Sequence, residues 1–398
     1  MKFYIKRTFP IIVAVAALYF GTSCNRDKFQ GPQIKEATQS FALTEEFKPT
    51  TKSISFIIGQ NPTIGFSAQF NEEVSYEVAV TGLTSGAVKT WKGVGMGFSE
   101  NEIVWEGRSS GIPFYRPFEY VKATLSISGR NEIYTIDSIQ MLGAYYYHKK
   151  MINGVKHIAV AHFEGSAGNL TSKVYKQVDA YAGADQADGN TVFLGPENSN
   201  VVEGEKSFRM RGQDLNNNSW LGGMNNANLV DFYLVESVNQ LEIDSGIDEH
   251  DLYVNAFVYG TGMPNTAIQF KIYELDYKTT YGDTALVPIK NRAEMRKYIF
   301  AKDLENNPIA RIPYDQSQND GWIFDLEVTW TGWKLVSIPY SKFRAANDLN
   351  AGGNGDRKKE SWRIAGMSIS LLSYPTSGAM VDTYIDYVTI TTGGEFQQ

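Results

Sequence analysis

Apolar residues recur at every second position in the first folded stretch of the chain. TIGFSAQF sets Ile64, Phe66, Ala68 and Phe70 on one face, VSYEVAV sets Val74, Tyr76, Val78 and Val80, and VKATLSI sets Val121, Ala123, Leu125 and Ile127. A period of two, interrupted by turns such as TGLTSG and SGRNE, is that of strands buried on one side. The pattern predicts an antiparallel sandwich over residues 52–147. It resumes over residues 148–398 in KHIAVAHFEG, LYVNAFVYG, FKIYEL, RIAGMSISLLS and DTYIDYVTIT, with Gly- and Asn-rich turns between. Only NRAEMRKYIFAKDLEN (291–306) has helical character, and it sits in a polar insertion near 276–320 that decorates an edge. No period of solenoid or propeller length is present.

Ahead of the strands the pattern changes twice. Lys2, Lys6 and Arg7 precede an apolar run from Phe9 to Phe20, too short to span a bilayer and built as an export signal over residues 1–23. Residues 24–51 are polar and read as an N-terminal flexible tether. Cys24, the only cysteine, follows Gly21, Thr22 and Ser23 directly after the apolar run. An exported chain ordinarily uses cysteines in pairs. The arrangement resembles the lipoprotein signal of bacteria, which implies lipidation of Cys24 and a membrane anchor through that lipid.

With its one thiol at the anchor, the folded part has no disulfide and rests on its cores. The formal charge is -7, from 37 Lys and Arg against 44 Asp and Glu. Losing three basic residues with the leader takes it to -10. Without a concentrated basic stripe, nucleic acid is excluded as a partner. The 23 Tyr, 22 Phe and 7 Trp suit a secreted all-β protein that displays aromatic side chains.

Two segments carry family likenesses. GFSENEIVWEGRSSG resembles a turn-and-strand unit of bacterial immunoglobulin-like modules, which implies that Trp105 packs across the sheets and that the first domain acts as a stalk. In the second region Phe163 and Glu164, then Glu203, Gly204, Ser207, Phe208, Arg209 and Gly212, then Gly332, Trp333, Lys334, Ile338, Pro339 and Phe343, and finally Asp386 form an ordered set of short motifs. The set resembles the galactose-binding-like jelly roll of carbohydrate-binding modules. The expected class is therefore all-β, an N-terminal immunoglobulin-like sandwich followed by a larger β-sandwich jelly roll. The resemblance implies a structural calcium held by Glu164 and Asp386 together with loop carbonyls, since that hard ion wants several oxygens.

A sugar platform needs a flat ring against the apolar face of a pyranose and polar groups at its edge. Trp220 in NNNSWLGGMNNAN, with Asn217 and Asn225 nearby, meets that recipe, as does the start of a strand after an asparagine turn. Arg311 and Tyr314 lie just ahead of the stretch holding Trp322, Trp330 and Trp333. Phe343 folding back over the strand before Pro339 would place Trp333 in the core and leave Trp330 as the exposed ring, with Gly332 able to insert a bulge that overturns the count.

Enzyme signatures are missing. There is no G-x-S-x-G, H-E-x-x-H or phosphate-binding glycine loop. His148, His157, His162 and His250 form no zinc set. Asp231, Glu236, Glu242, Asp325 and Glu327 offer carboxylates, but spacing singles out no pair for glycoside hydrolysis. The leading expectation is a noncatalytic, lipid-anchored protein that captures polysaccharide or oligosaccharide at the cell envelope, similar to surface lipoproteins of polysaccharide-using Bacteroidetes. A structural or protein-interaction module of an envelope complex is the alternative, and a hydrolase the third. In that lineage acidic residues after the lipidated cysteine favour outward display. Asn25, Arg26, Asp27 and Lys28 leave the side of the outer membrane open.

Overall fold

The computed structural model describes residues 40–56, 62–147, 150–161, 163, 178–180, 193–213, 220–226, 243–244, 246–274, 277–279, 286–288, 290, 320–346, 357–373 and 380–398. The leader, Cys24, the first part of the tether and residues 291–319 of the insertion lie outside them.

The first domain is built from β1 (Leu43–Pro49), β2 (Ser53–Ser55), β3 (Ile64–Gly82), β4 (Val88–Trp105), β5 (Tyr120–Ile127) and β6 (Ile133–Leu142). The two predicted strands TIGFSAQF and VSYEVAV are one 19-residue strand, because their apolar positions share the same parity across Asn71–Glu73. Pairing shifts register between Gln69 and Val74. On one edge of β3 the first half carries β1 and the second half β5, so a single curled sheet encloses the core on two sides. Ile64, Phe66, Val78, Val80, Val121, Ala123 and Leu125 are fully enclosed there. Trp105 is buried as expected. Its indole N–H donates to Arg108 O at 3.2 Å and Tyr115 packs edge-on to it at 5.1 Å.

The tether ends earlier than its polarity suggests. β1 starts at Leu43, inside residues 24–51, because Phe41, Leu43 and Phe47 supply enough apolar surface to pack against the core although LTEEFKP is mostly charged.

The second domain follows in chain order as β7 (Met151–Ile152), β8 (Val155–Ala161), β9 (Val178–Ala180), β10 (Phe193–Glu197), β11 (Ser207–Gln213), β12 (Trp220–Asn226), β13 (Leu252–Thr261), β14 (Thr266–Glu274), β15 (Tyr277–Thr279), β16 (Leu286–Pro288), β17 (Gly321–Glu327), β18 (Thr331–Pro339), β19 (Arg344–Ala345), β20 (Ile364–Ser373) and β21 (Met380–Thr392). The front sheet runs β10-β11-β21-β13-β18, with β8 on the second half of β21. The back sheet runs β19-β17-β14-β20-β12-β9. Val254, Val258, Ile338, Ile385 and Ile390 of the front sheet meet Ile268, Phe270, Ile272, Ile369 and Leu371 of the back sheet in one apolar core. The class is all-β, two β-sandwiches in tandem.

The domains are joined by packing as well as by chain. Phe114, on the loop between β4 and β5, is 5 % exposed. Its ring lies 5.2 Å from Tyr147, 5.3 Å from Phe257 and 5.6 Å from Tyr387, and its N–H donates to Val202 O at 2.7 Å. The predicted stalk is thus seated on the outer face of the front sheet.

Lys271, on the outward side of β14, has its ammonium 4.8 Å from the Tyr273 ring centre, and burial pushes its amine down to about 8 from the usual 10.5. Between those values the unfolded chain holds a proton that the folded chain has released, so stability rises with pH across that window. Urea midpoints should therefore increase from pH 8 to pH 10.5, and Lys271→Met should flatten that rise while raising the midpoint at pH 7. Equal slopes in the two proteins would contradict it.

Candidate functional site

Four residues from four neighbouring strands of the front sheet stand in one row on its outer face. Strand register pairs Trp333 of β18 with Tyr259 of β13, Tyr259 with Tyr384 of β21, and Tyr384 with Arg209 of β11. Three strand spacings make the row about 14 Å long. Tyr259 packs edge-on to both neighbours, 5.4 Å from the Trp333 ring centre and 5.6 Å from that of Tyr384. Tyr384 is the floor at 5 % exposure, and Trp333 and Tyr259 are half-buried.

Charged groups fix the Tyr384 end. The Arg209 guanidinium lies 5.1 Å from the Tyr384 ring centre. Its Nε and Nη2 donate to the two oxygens of Asp382 at 3.0 and 2.7 Å, and its Nη1 donates to Glu197 at 3.1 Å. Those hydrogen bonds to Asp382, ahead of all other influences, hold the guanidinium charged above its ordinary range. Such a bidentate fork locks both side chains. The Tyr384 ring and the Asp382 carboxylate, 4 % exposed, lie beneath Arg209 as its fixed support, and the partly exposed Trp333 and Tyr259 supply the apolar surface for sugar C–H groups, with Arg209 and Glu197 at its edge.

Trp333 therefore lies on the outer face and not in the inter-sheet core where it was expected, and packs there, partly buried, against the cluster that joins the two domains. Phe343 does fold back, but onto the inter-sheet core beside Tyr340, which leaves the opposite side of β18 to Trp333 and Leu335. Trp330 packs partly against the core. Its indole N–H donates to Val258 O at 3.3 Å and the Lys334 ammonium lies 5.0 Å from its ring centre. Gly332, at φ +86°, turns the chain between the two tryptophans, and a Cβ at Gly260 would collide with Trp330 O.

The other expected positions are not gathered on this face. Trp220 and Asn225 lie on β12 of the back sheet, Trp220 opposite Leu372. Leu372 pairs with Ala267 and Ala267 with Glu327, so the Trp220 backbone and Trp330 occupy the same end of the sandwich, several strands apart. Asn217, Arg311 and Tyr314 lie outside the described residues, as does Glu164.

Asp386 is completely buried. Its Oδ2 accepts the N–H groups of Val202 at 2.8 Å and Glu203 at 3.0 Å, and its Oδ1 that of Tyr387 at 2.8 Å. Both oxygens thus serve as acceptors for backbone amides, and Glu164, the other expected calcium ligand, lies outside the described residues. Among the described residues no three acidic, His or Cys side chains converge as metal ligands.

Sequence does not single out Tyr259 and Tyr384, because their partners are remote in the chain. It marks Arg209 only as part of a fold motif and assigns Trp333 to the core. The alternation of Tyr253, Asn255, Phe257 and Tyr259 in β13 was the available signal that this strand has a second, partly apolar face.

No family model and no curated protein matches the chain. Among solved structures, the family 11 carbohydrate-binding module from Clostridium thermocellum in complex with a β-1,3-1,4-mixed-linked tetrasaccharide is 12 % identical at a TM-score of 0.31, covering 59 % of this chain and 94 % of that one. The CBM22-1–CBM22-2 tandem domain from Paenibacillus barcinonensis Xyn10C is 10 % identical at 0.27, covering 89 % and 93 %. SGBP-B from a complex xyloglucan utilization locus in Bacteroides uniformis is 11 % identical at 0.26, covering 88 % and 72 %. At TM-scores this low the similarity says nothing of ligand or role.

Proposed function

We propose that the protein is a noncatalytic, lipid-anchored glycan-binding protein of the cell envelope, holding polysaccharide or oligosaccharide across the Trp333–Tyr259–Tyr384 row. The observation that carries this reading is the row itself, three aromatic side chains on adjacent strands in one register beside Arg209, Asp382 and Glu197. The basic and apolar leader and Cys24 support export and lipidation, hence an outer-membrane lipoprotein facing either the surface or the periplasm.

Affinity electrophoresis against a broad polysaccharide panel tests it. At least one polymer is expected to retard the protein, and Trp333→Ala should weaken that binding by about 2 kcal/mol, some thirtyfold, with a melting curve confirming that the variant, which loses packing at the domain junction, is still folded at the assay temperature. Trp220→Ala and Trp330→Ala report separately on the sandwich end. Retardation by no polymer would favour a protein-interaction module, for which Leu83 at 61 % and Phe118 at 70 % exposure supply apolar surface on the first domain.

A further inference from the structure

Arg211 stands two residues beyond Arg209 on the same face of β11, directly opposite Asp382 of β21. The obvious pair is not made. Both Asp382 oxygens accept from Arg209 instead, whose remaining donor group turns to Glu197. Arg211 is half-buried, and its Nε is fully enclosed with no hydrogen-bond partner. Among the described residues its guanidinium makes no hydrogen bond or ion pair, whereas Arg209 beside it is saturated.

An enclosed N–H donor on a cation is costly without an acceptor, because its lost hydration is not replaced. Next to a row of rings, the two Nη groups of the Arg211 guanidinium, which are not enclosed with Nε, have the donor geometry that matches a planar carboxylate or a sulfate. We propose that Arg211 receives an anionic substituent, carboxylate or sulfate, of a glycan laid across the aromatic row. This inference rests on the glycan reading and narrows it to acidic polymers. The acidic balance of the chain does not oppose it. At physiological ionic strength charges beyond about 8 Å are largely screened, while a group in contact with Arg211 is not.

The test uses the full-length protein in affinity gels containing alginate, polygalacturonate or glucuronoxylan, each beside its carboxyl-reduced form, and carrageenan beside its desulfated form. A polymer that binds is expected to lose about tenfold or more in affinity when its acidic group is removed. Arg211→Gln should impose the same loss on the acidic form and none on the neutral one, with the melting temperature unchanged or raised. The carboxylated and sulfated arms distinguish the two anions. If neutral forms bind as tightly as acidic ones, or Arg211→Gln keeps the discrimination, the inference fails while glycan binding stands. If nothing binds in either form, the glycan reading falls and takes the inference with it.

Discussion

Asp386→Ala is expected to lower the unfolding free energy by about 3–5 kcal/mol, a large share of the roughly 5–15 kcal/mol by which a domain is stable. The carboxylate is fully enclosed and accepts three backbone N–H groups, two of them from the turn at Val202 and Glu203. The third, Tyr387 N–H, comes from a residue at φ +42°, where β21 leaves regular pairing with β13. Alanine would leave these donors enclosed without acceptors. The damage should reach the domain junction, because Val202 O is the acceptor for Phe114 N–H. Calorimetry should therefore show both a lower melting temperature and a first domain that unfolds separately from the second. A melt within about 1 kcal/mol of the native protein would contradict this role.

Glu274→Ala is expected to cost a similar amount, about 3–5 kcal/mol, through an unrelated cluster. Glu274 ends β14 with no exposed surface. Its Oε2 accepts the Trp322 indole N–H at 3.0 Å, and its Oε1 accepts the Tyr340 hydroxyl at 2.7 Å and the Glu360 N–H at 2.6 Å. Lys359 stands over both rings, 5.3 Å from Trp322 and 5.7 Å from Tyr340. One buried carboxylate thus ties β14, β17, the turn after β18 and the segment before β20. Glu274→Gln should cost less, about 1–3 kcal/mol, since the amide oxygen can keep the two Oε1 bonds while its NH2 group meets the Trp322 N–H donor to donor. Urea unfolding of the two variants checks the order, and equal losses would show that acceptor geometry is not what matters there.

The strands were legible in sequence where one face is buried and the other wet. Ile64 to Val80 and Val121 to Ile127 kept one parity, and those positions form the first core. β18 is ambiguous in sequence because both of its faces carry apolar residues. Val336 and Ile338 point to the inter-sheet core, and Trp333 and Leu335 to the outer face that the first domain partly covers. Alternation cannot choose between two apolar faces. Trp330 and Trp333 do fall on opposite sides, with the inner side taken by Trp330. The row itself was not legible at all, since Arg209, Tyr259, Trp333 and Tyr384 meet only through strand register between segments remote in the chain. Asp386 was singled out for its chemistry, but nothing in the sequence shows that the amides of Val202 and Glu203 would arrive to use its oxygens.

The central claim is that the outer-face row touches the glycan. The most direct measurement is fluorine NMR of the protein carrying 5-fluorotryptophan at its 7 tryptophan positions, each resonance assigned by its loss in a Trp→Phe variant. On titration with a polymer that retards the protein, the Trp333 resonance should shift most, while those of the enclosed Trp105 and Trp322 stay in place. An unmoved Trp333 resonance, with the shift concentrated instead on Trp220 or Trp330, would contradict the outer-face site and move it to the end of the sandwich.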